Sequence, residues 1–179
     1  QFRPDYGDAR SNLGLALKDL GKLDEAMECF GQALELASDN AEAHWNRSLL
    51  LLVRGNFQEG LAEYEWRWKL RPHAASLRPI DRPAWDGCPI AEGTILLQAE
   101  QGLGDTLQFV RYAPLVRQRV GTVVLECQKP LLRLLAGFPG IDRLVTPEDA
   151  LPECDVHLPL LRLPRVFLHT DVENIPADV

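Results

Sequence analysis

The chain has 179 residues, of which 46% are hydrophobic and 25% are charged, and its formal net charge is −7. A chain of this length has room for one domain with an appendage or for two small ones. The acidic balance, without any basic patch, argues against a nucleic-acid partner, and no apolar run is long enough to span a bilayer.

The cysteines indicate a reducing compartment. They are widely separated, with no Cys-x-x-Cys pair and no histidine at ligand spacing, at Cys29, Cys88, Cys127 and Cys154. This distribution predicts reduced thiols rather than a metal site or a disulfide framework. No signal-peptide pattern is present at the N-terminus, so we expect a cytoplasmic protein with no membrane partner.

Residues 1–70 repeat with a period of 34 residues, which is the tetratricopeptide spacing. Residues of the same character stand one period apart in the pairs Asn12/Asn46, Leu17/Leu51, Gly21/Gly55 and Phe30/Tyr64. The pattern predicts helices near 8–20, 23–38, 41–54 and 57–70, with Gly21 and Gly55 ending the first helix of each pair. Pro4 reads as the tail of an earlier repeat, and Pro72 ends the last helix.

Asn12 and Asn46 are the candidate peptide-binding residues of the repeats. Each lies on the first helix of a pair, on the side expected to face the concave groove. A side-chain amide donates and accepts hydrogen bonds at once, so it can pair with the backbone of an extended peptide. A local helix contact explains them equally well. Because about three repeats are usually needed for stability, exposed repeat faces also predict contact with the next domain or with another copy of the chain.

The last repeat helix and the residues after it are rich in aromatics. We expect Phe57, Leu61, Tyr64 and Trp68 to form a core stripe, and Trp66, on another face, to dock against the next domain. Residues 71–93 contain four prolines and predict a stiff connector. Trp85 should pin this connector to the domain that follows.

From Thr94 onward, strand and helix patterns alternate. The predicted strands are 94–99, 122–127, 143–146 and 155–158, and the predicted helices are 105–119, restarting at Pro114, and 129–136. Residues 160–179 look irregular or briefly helical. The alternation predicts a partial Rossmann-like parallel α/β domain over residues 94–179.

The segment Gly102-Leu103-Gly104-Asp105 between the first strand and its helix is the candidate small-molecule site. Glycines there permit positive φ and close approach of a ligand, and a helix start offers free N–H groups. The substrate-binding candidates are Gly102, Leu103, Gly104 and Gln108. The third glycine of a dinucleotide fingerprint is missing, and no Gly-Lys-Ser/Thr follows. Asp105 with Gln108 three residues later also fits a capping box, a purely structural role.

A resemblance extends over nearly the whole chain. Residues 100–112 (Glu-Gln-Gly-Leu-Gly-Asp-Thr-Leu-Gln-Phe-Val-Arg-Tyr), with Tyr64-Glu-Trp-Arg-Trp68 and Arg82-Pro-Ala-Trp-Asp-Gly87 before them, resemble bacterial tetratricopeptide proteins that carry a C-terminal glycosyltransferase-like domain. The Leu-Gly-Asp turn is similar to that of heptosyltransferases, which have the GT-B fold of two facing Rossmann domains. O-linked N-acetylglucosamine transferases combine repeats with GT-B and have groove asparagines like Asn12 and Asn46.

The resemblance implies an α + α/β fold: tetratricopeptide hairpins at 1–70, the connector, and the N-terminal Rossmann-like half of a GT-B domain at 94–179. It makes Asp105 the candidate general base for an acceptor hydroxyl. It implies no metal and no cofactor, since no Asp-x-Asp motif occurs. The donor half is absent, so a nucleotide-sugar would bind only in a full-length parent, and we expect this fragment to be inactive alone.

Two other interpretations remain open. One is a non-catalytic scaffold that binds a protein or peptide in its repeat groove. A nucleotide- or S-adenosylmethionine-binding Rossmann unit is a weaker third interpretation, because no acidic residue cleanly ends the second predicted strand, where Glu126 stands one residue before Cys127.

Overall fold

A computed structural model describes residues 5–70 and 77–167 of the chain. The chain divides into two compact units, residues 1–74 and 75–179. The predictions for Pro4, for Pro72 and for the segment after Phe167 concern residues outside the described ranges.

The described part of the first unit is helical. Its helices are α1 (Asp5–Asp19), α2 (Leu23–Leu36), α3 (Ala41–Val53) and α4 (Phe57–Tyr64), and a 3₁₀ turn, Glu65–Lys69, follows α4. Helix α1 packs on α2, α2 on α3, and α3 on α4. The predicted pair of helical hairpins is thus confirmed, although the last predicted helix, 57–70, is α-helical only to Tyr64 and continues as the 3₁₀ turn Glu65–Lys69.

Two glycines and one aromatic ring determine the shape of the hairpins. Gly21 and Gly55 have φ of 75° and 78° and end α1 and α3 in the left-handed conformation, as predicted. A Cβ on Gly14 would lie 2.7 Å from the ring of Phe30, so these helices cross too closely for a side chain there. Phe30 is fully buried, with Ala26 and Leu50 beside it.

The buried face of α4 and its 3₁₀ extension differs from the prediction. Gly60, Glu63 and Arg67 are the buried positions, whereas the aromatic stripe of Phe57, Leu61, Tyr64 and Trp68 is half-buried. The Arg67 guanidinium is fully buried because it lies 4.5 Å from the ring centroids of both Tyr64 and Trp68. The aromatic rings therefore cover a cation instead of forming the core themselves.

The second unit is built on a parallel sheet. Its strands are β1 (Ile90–Gln98), β2 (Val120–Glu126), β3 (Arg143–Val145) and β4 (Val156–Pro159). The helices are α5 (Leu103–Phe109), α6 (Ala113–Arg117), α7 (Leu132–Leu135) and α8 (Leu163–Phe167), with 3₁₀ turns at Val110–Tyr112, Lys129–Leu131 and Leu160–Arg162. Helix α6 restarts with Pro114 in its first turn, which confirms the predicted interruption.

The strand order is β3-β2-β1-β4, and every pairing is parallel. The predicted parallel α/β arrangement is confirmed. Fully buried residues of the first two strands form the centre of the unit: Ile95, Leu96, Leu97, Val123 and Leu125. Strand β1 begins four residues before the prediction, at Ile90, which pairs with Val120 across an irregularity in the register.

Trp85 holds the residues before β1 against the sheet, as expected. It is 4% exposed, and its backbone N–H donates to the carbonyl of His157 over 2.9 Å. Its indole N–H donates to the Cys88 carbonyl at 2.9 Å, and its ring contacts that of Phe167 edge-on. The neighbouring Ala84 forms a parallel bridge with His157, so this segment extends the sheet beyond β4.

Candidate functional site

The turn between β1 and α5 lies at the carboxyl edge of the sheet. Strand β1 pairs with β2 on one side and β4 on the other, so the chain order of the strands reverses direction at β1. In open parallel sheets, ligands bind outside the carboxyl ends of the strands at such a switch point. The predicted site residues therefore stand where the topology favours binding.

The left-handed residue of this turn is Gln101, not a glycine. Gln101 has φ of 64°, whereas Gly102 is extended, with φ of −83° and ψ of 171°. Gly104 lies inside α5 and is absent from the positive-φ residues of the described chain. The expectation that the two glycines supply positive φ is wrong. A non-glycine residue in this region costs about 1–2 kcal/mol, and such strain is concentrated at functional sites.

Asp105 caps α5, but not in the predicted manner. The helix begins at Leu103 with Gly102 as its N-cap, so Asp105 occupies the third helical position. Its carboxylate Oδ2 accepts the backbone N–H of Gly102 over 3.0 Å. Gly102 has no side chain to return a bond, so only half of a capping box is present, and Gln108 takes no part in it. The capping role is therefore real, with Gly102 and not Gln108 as the partner.

Gln128, which follows β2, ties the turn to the neighbouring strand. Its side-chain N–H donates to the Gln101 carbonyl at 3.2 Å, and its oxygen accepts the hydroxyl of Thr106 at 2.9 Å. Thr106 is fully buried. The Gln128 amide therefore holds both Gln101 and the start of α5, and its hydrogen bond to the Gln101 carbonyl helps to keep Gln101 in the left-handed conformation. No sequence pattern assigns a role to Gln128.

The predicted substrate-binding residues are accessible. Gly102, Leu103, Gly104 and Gln108 are exposed, and Asp105 is half-exposed. A carboxylate with one oxygen bonded to a backbone N–H keeps lone pairs on the other, so it remains able to accept a proton from an incoming hydroxyl. The site thus offers a carboxylate at a helix start, open to solvent, on a rigid turn.

A row of buried polar side chains crosses the sheet just inside this edge. Gln98 is 1% exposed and Glu126 is 3% exposed, and they pair in register on β1 and β2. The Gln98 amide nitrogen lies 3.4 Å from Glu126 Oε1 and 3.2 Å from the Arg78 carbonyl. The Arg78 guanidinium forms an ion pair with Glu126. The row is therefore internally neutralised, as burial of charge requires.

The position of Glu126 concerns the third interpretation, a nucleotide- or S-adenosylmethionine-binding Rossmann unit. Glu126 is the last residue of β2, so the expectation that no acidic residue ends this strand cleanly is wrong. Its carboxylate is nevertheless buried and engaged by Arg78 and Gln98. It is therefore unavailable to a ribose hydroxyl in this arrangement.

His157 completes the row on β4. Its Nδ1 lies 3.3 Å from Oε1 of Gln98, and since an amide oxygen only accepts, the ring nitrogen donates. Burial disfavours the imidazolium and the nearby Arg162 guanidinium repels it, so the pKa of His157 lies below its ordinary value. The folded state therefore favours the neutral imidazole of His157 over the imidazolium.

The lowered pKa of His157 predicts a pH dependence of stability. Because the folded-state pKa is depressed, the stabilisation by neutral His157 is present above about pH 6.5 and is lost as the pH falls through the folded pKa. The free energy of unfolding of wild type minus that of His157→Gln, measured by urea denaturation, should fall between pH 8 and pH 5. A difference that stays constant over this range would contradict the prediction.

The two repeat asparagines occupy different environments. Asn12 is exposed on α1, whereas Asn46 on α3 is 6% exposed. Within the described residues, Oδ1 of Asn46 is buried and has no hydrogen-bond partner. Only Asn12 is openly available to a peptide in this conformation, and the groove role of the pair stays a prediction.

Trp66 is covered within its own unit. Its ring stacks on that of His44 with the centroids 3.9 Å apart. Lys69, on the same 3₁₀ turn as Trp66, places its Nζ 3.6 Å from the centre of the Trp66 ring. The half-buried indole thus has local partners, so its position away from the aromatic stripe does not require another domain to cover it.

All four cysteines are free; three are buried and Cys88 is exposed. No group of three or more histidine, cysteine or acidic side chains suited to a metal is found in residues 5–70 and 77–167. Over the same ranges, no helix is long and apolar enough to cross a membrane.

A cavity of about 320 Å³ is lined by Asp81, Arg82 and residues 151–154, away from the glycine turn.

The fold and site define a class: a protein of helical hairpins followed by a parallel α/β unit. A family model described as TPR repeat matches residues 14–52, so the hairpins are tetratricopeptide repeats.

Two known proteins show similarity over longer stretches. Protein FlbA of Caulobacter vibrioides is 29% identical over 124 residues, which cover 68% of this chain and 21% of FlbA. A solved mutant of the O-GlcNAc transferase from Thermobaculum terrenum aligns with 79% of this chain and 34% of its own, at 19% identity and a TM-score of 0.34. The chain therefore spans about a fifth of the length of FlbA and about a third of the O-GlcNAc transferase chain.

Proposed function

We propose that this chain is part of a repeat-bearing glycosyltransferase, in which the tetratricopeptide unit binds a protein or peptide and the α/β unit forms the acceptor side of a GT-B domain. The observation that carries the proposal is Asp105: a half-exposed carboxylate on a strained, clamped turn at the switch point of a parallel sheet. Tetratricopeptide repeats generally mediate protein interactions, which supports the first half.

The chemistry proposed for Asp105 is general base catalysis. Its carboxylate would accept the proton of an acceptor hydroxyl as the oxygen attacks the anomeric carbon of a donor sugar. The Gly102 N–H fixes the carboxylate through one oxygen and leaves the other for the proton. The nucleotide-sugar would be held by a second Rossmann-like half in a longer parent, and the chain in hand would be inactive alone. Transfer would need neither metal nor cofactor.

The test is a transfer assay on the full-length natural polypeptide. Incubation with a panel of nucleotide-sugars, in the presence of its protein partner as acceptor, should transfer sugar to the acceptor and release nucleoside diphosphate, detected by a coupled assay, and residues 1–179 alone should release none. Absence of release by the full-length polypeptide with every donor, with its protein partner present, would count against the glycosyltransferase assignment.

The second candidate function is a non-catalytic, cytoplasmic protein-interaction scaffold. The observation that favours it is the use of Asp105 as a helix cap, which gives this carboxylate a sufficient structural reason to be present. In that case the α/β unit would serve as a folded neighbour of the repeats and nothing more.

The scaffold candidate predicts that the exposed asparagine matters more for capture than for stability. Asn12→Ala should weaken binding of a captured peptide by about 5–10-fold, the loss of one or two hydrogen bonds, with little change in unfolding. Asn46→Ala removes a buried amide and should alter the melting temperature as well. Calorimetric titration with the captured peptide measures the first effect, and equal binding by wild type and Asn12→Ala would exclude Asn12 from the groove contact.

A further inference from the structure

The peptide unit between Gln101 and Gly102 is hydrogen-bonded at both of its polar ends. Its carbonyl oxygen, which belongs to Gln101, accepts the side-chain N–H of Gln128 at 3.2 Å. Its N–H, which belongs to Gly102, donates to Oδ2 of Asp105 over 3.0 Å. Because a trans peptide unit is planar and its C=O and N–H point in opposite directions, a bond at one end fixes the direction of the other. The Gln128 amide therefore orients the N–H that anchors Asp105.

The backbone on either side of this peptide unit does not hold it in place by itself. Gln101 has φ of 64°, a conformation that residues other than glycine rarely adopt. Gly102, on the other side, has no Cβ to restrict its rotation. Without a bond from outside the turn, these local preferences favour rotation of the peptide unit, and its N–H would turn away from Asp105.

The neighbouring strand places Gln128 where it can supply that bond. Gln128 follows Cys127, whose backbone N–H donates to a carbonyl of β3 at 2.9 Å, so the sheet fixes the backbone at this point. The amide oxygen of Gln128 accepts the hydroxyl of the buried Thr106 at 2.9 Å. This second bond fixes the rotation of the amide group and directs its N–H to the Gln101 carbonyl.

We propose that Gln128 is a positioning residue for the Asp105 carboxylate and acts through the peptide unit between Gln101 and Gly102. It keeps one oxygen of Asp105 on the Gly102 N–H, so that the other oxygen faces the acceptor hydroxyl. The inference rests on the proposed function, in which Asp105 is the general base. A misplacement of about 1 Å at such a group costs about 10²-fold in rate, so a residue that touches no substrate can control turnover.

The test compares variants of the full-length polypeptide. Gln128→Leu removes both bonds of the amide, whereas Gln128→Glu keeps an acceptor for the Thr106 hydroxyl and loses only the N–H donated to Gln101. Both should lower kcat for nucleotide-sugar-dependent transfer by about 10–100-fold and leave KM for donor and acceptor unchanged. Thr106→Val removes only the other bond and should leave kcat close to that of wild type. In Gln128→Leu the Thr106 hydroxyl keeps the Gly102 carbonyl, 3.3 Å away, as an acceptor, so we expect the fold to be retained.

Hydrogen exchange of the Gly102 amide, measured in the same preparations, reports on the anchor without requiring activity. Exchange should be faster in both Gln128 variants than in wild type or Thr106→Val, because the N–H is released from Asp105. Gln118→Glu, at an exposed glutamine that ends α6, is the control for the added charge. It should change neither kcat nor the exchange rate.

Wild-type kcat and wild-type exchange in Gln128→Leu would overturn the proposal. An equal loss of kcat in Thr106→Val would also overturn it, because the effect would then come from support of α5. A loss confined to KM would place Gln128 in substrate binding instead. A wild-type polypeptide without transfer activity would count against the proposed function alone, and the exchange rates of Gly102 would then decide whether Gln128 anchors Asp105.

Discussion

Asp105→Asn in the full-length parent polypeptide should lower turnover by about 10²–10⁴-fold, because an amide cannot take the proton of the acceptor hydroxyl. The amide oxygen still accepts the Gly102 N–H, which Asp105 now accepts over 3.0 Å. Loss of a negative charge in the first turn of α5 should cost no more than about 1 kcal/mol. The measurement is kcat for nucleotide-sugar-dependent transfer, together with the unfolding free energy of the same preparation.

Two further variants separate chemistry from capping. Asp105→Ala should abolish turnover to the same degree and should also cost about 1 kcal/mol of stability, since the cap is lost. Glu92→Gln, an exposed acidic residue near the opposite end of β1, is the control and should leave both quantities unchanged. Full activity in Asp105→Asn would leave the carboxylate with a capping role only. In residues 1–179 alone we expect no transfer by any variant.

The repeats could be predicted from the sequence because their determinants are local. Gly21 and Gly55 mark helix ends at a fixed period, and their left-handed conformations follow from the absence of a side chain. The close crossing at Gly14 and Phe30 follows from the same period. The strands could also be predicted, because buried parallel strands form continuous apolar runs in the sequence.

The strand start and the site geometry could not be predicted from local pattern. Ile90 pairs with Val120 across a register irregularity, and the intervening Glu92 and Gly93 carry no strand signal. The positive φ of Gln101 is held by Gln128, which is 27 residues away in sequence. Gly102 and Gly104 indicate that the turn tolerates unusual backbone angles. The hydrogen bond from Gln128, a tertiary contact, is instead made to Gln101, the residue that adopts the left-handed conformation.

The buried polar residues were missed for a related reason. Hydrophobic periodicity assigns aromatic residues to the core and charged residues to solvent, so Tyr64 and Trp68 were expected inside. Glu63 and Arg67 are inside instead: Glu63 is paired with Arg47 of α3, and Arg67 is paired with Glu65 of its own 3₁₀ turn and lies over the ring of Tyr64. Only the fold brings Arg47 of α3 to Glu63 of α4, so this pairing has no signature within either helix.

The ion pair of Arg47 with Glu63 should be the largest electrostatic contribution to the stability of the repeat unit. Arg47 Nε donates to Glu63 Oε2 at 2.8 Å, and Nη2 donates to the other oxygen, so the contact is bidentate. The Glu63 hydrogen bond and charge raise the pKa of Arg47 above its ordinary value, against the opposing effect of burial. Glu63 is 8% exposed, and its side chain also lies 3.6 Å from His44 Nδ1.

Glu63→Ala should therefore destabilise the repeat unit by about 2–4 kcal/mol, since it leaves the half-buried Arg47 guanidinium without its carboxylate. Glu59→Ala is the matched control: its carboxylate lies 3.8 Å from the same guanidinium, but its side chain is 52% exposed. That variant should cost no more than about 0.5 kcal/mol. Urea denaturation followed by helical circular dichroism measures both, and equal losses would show that burial does not distinguish the two pairs.

The double variant Arg47→Met, Glu63→Leu separates the cost of an orphaned charge from the worth of the pair. Replacing both partners by apolar side chains of similar size removes the desolvation cost together with the attraction, so most of the stability lost in Glu63→Ala should return. If it does, the single-variant loss reflects the unpaired Arg47. If the double variant is as unstable as Glu63→Ala, the pair contributes net stability beyond neutralising itself, and the buried face of α4 depends on this ion pair for its packing.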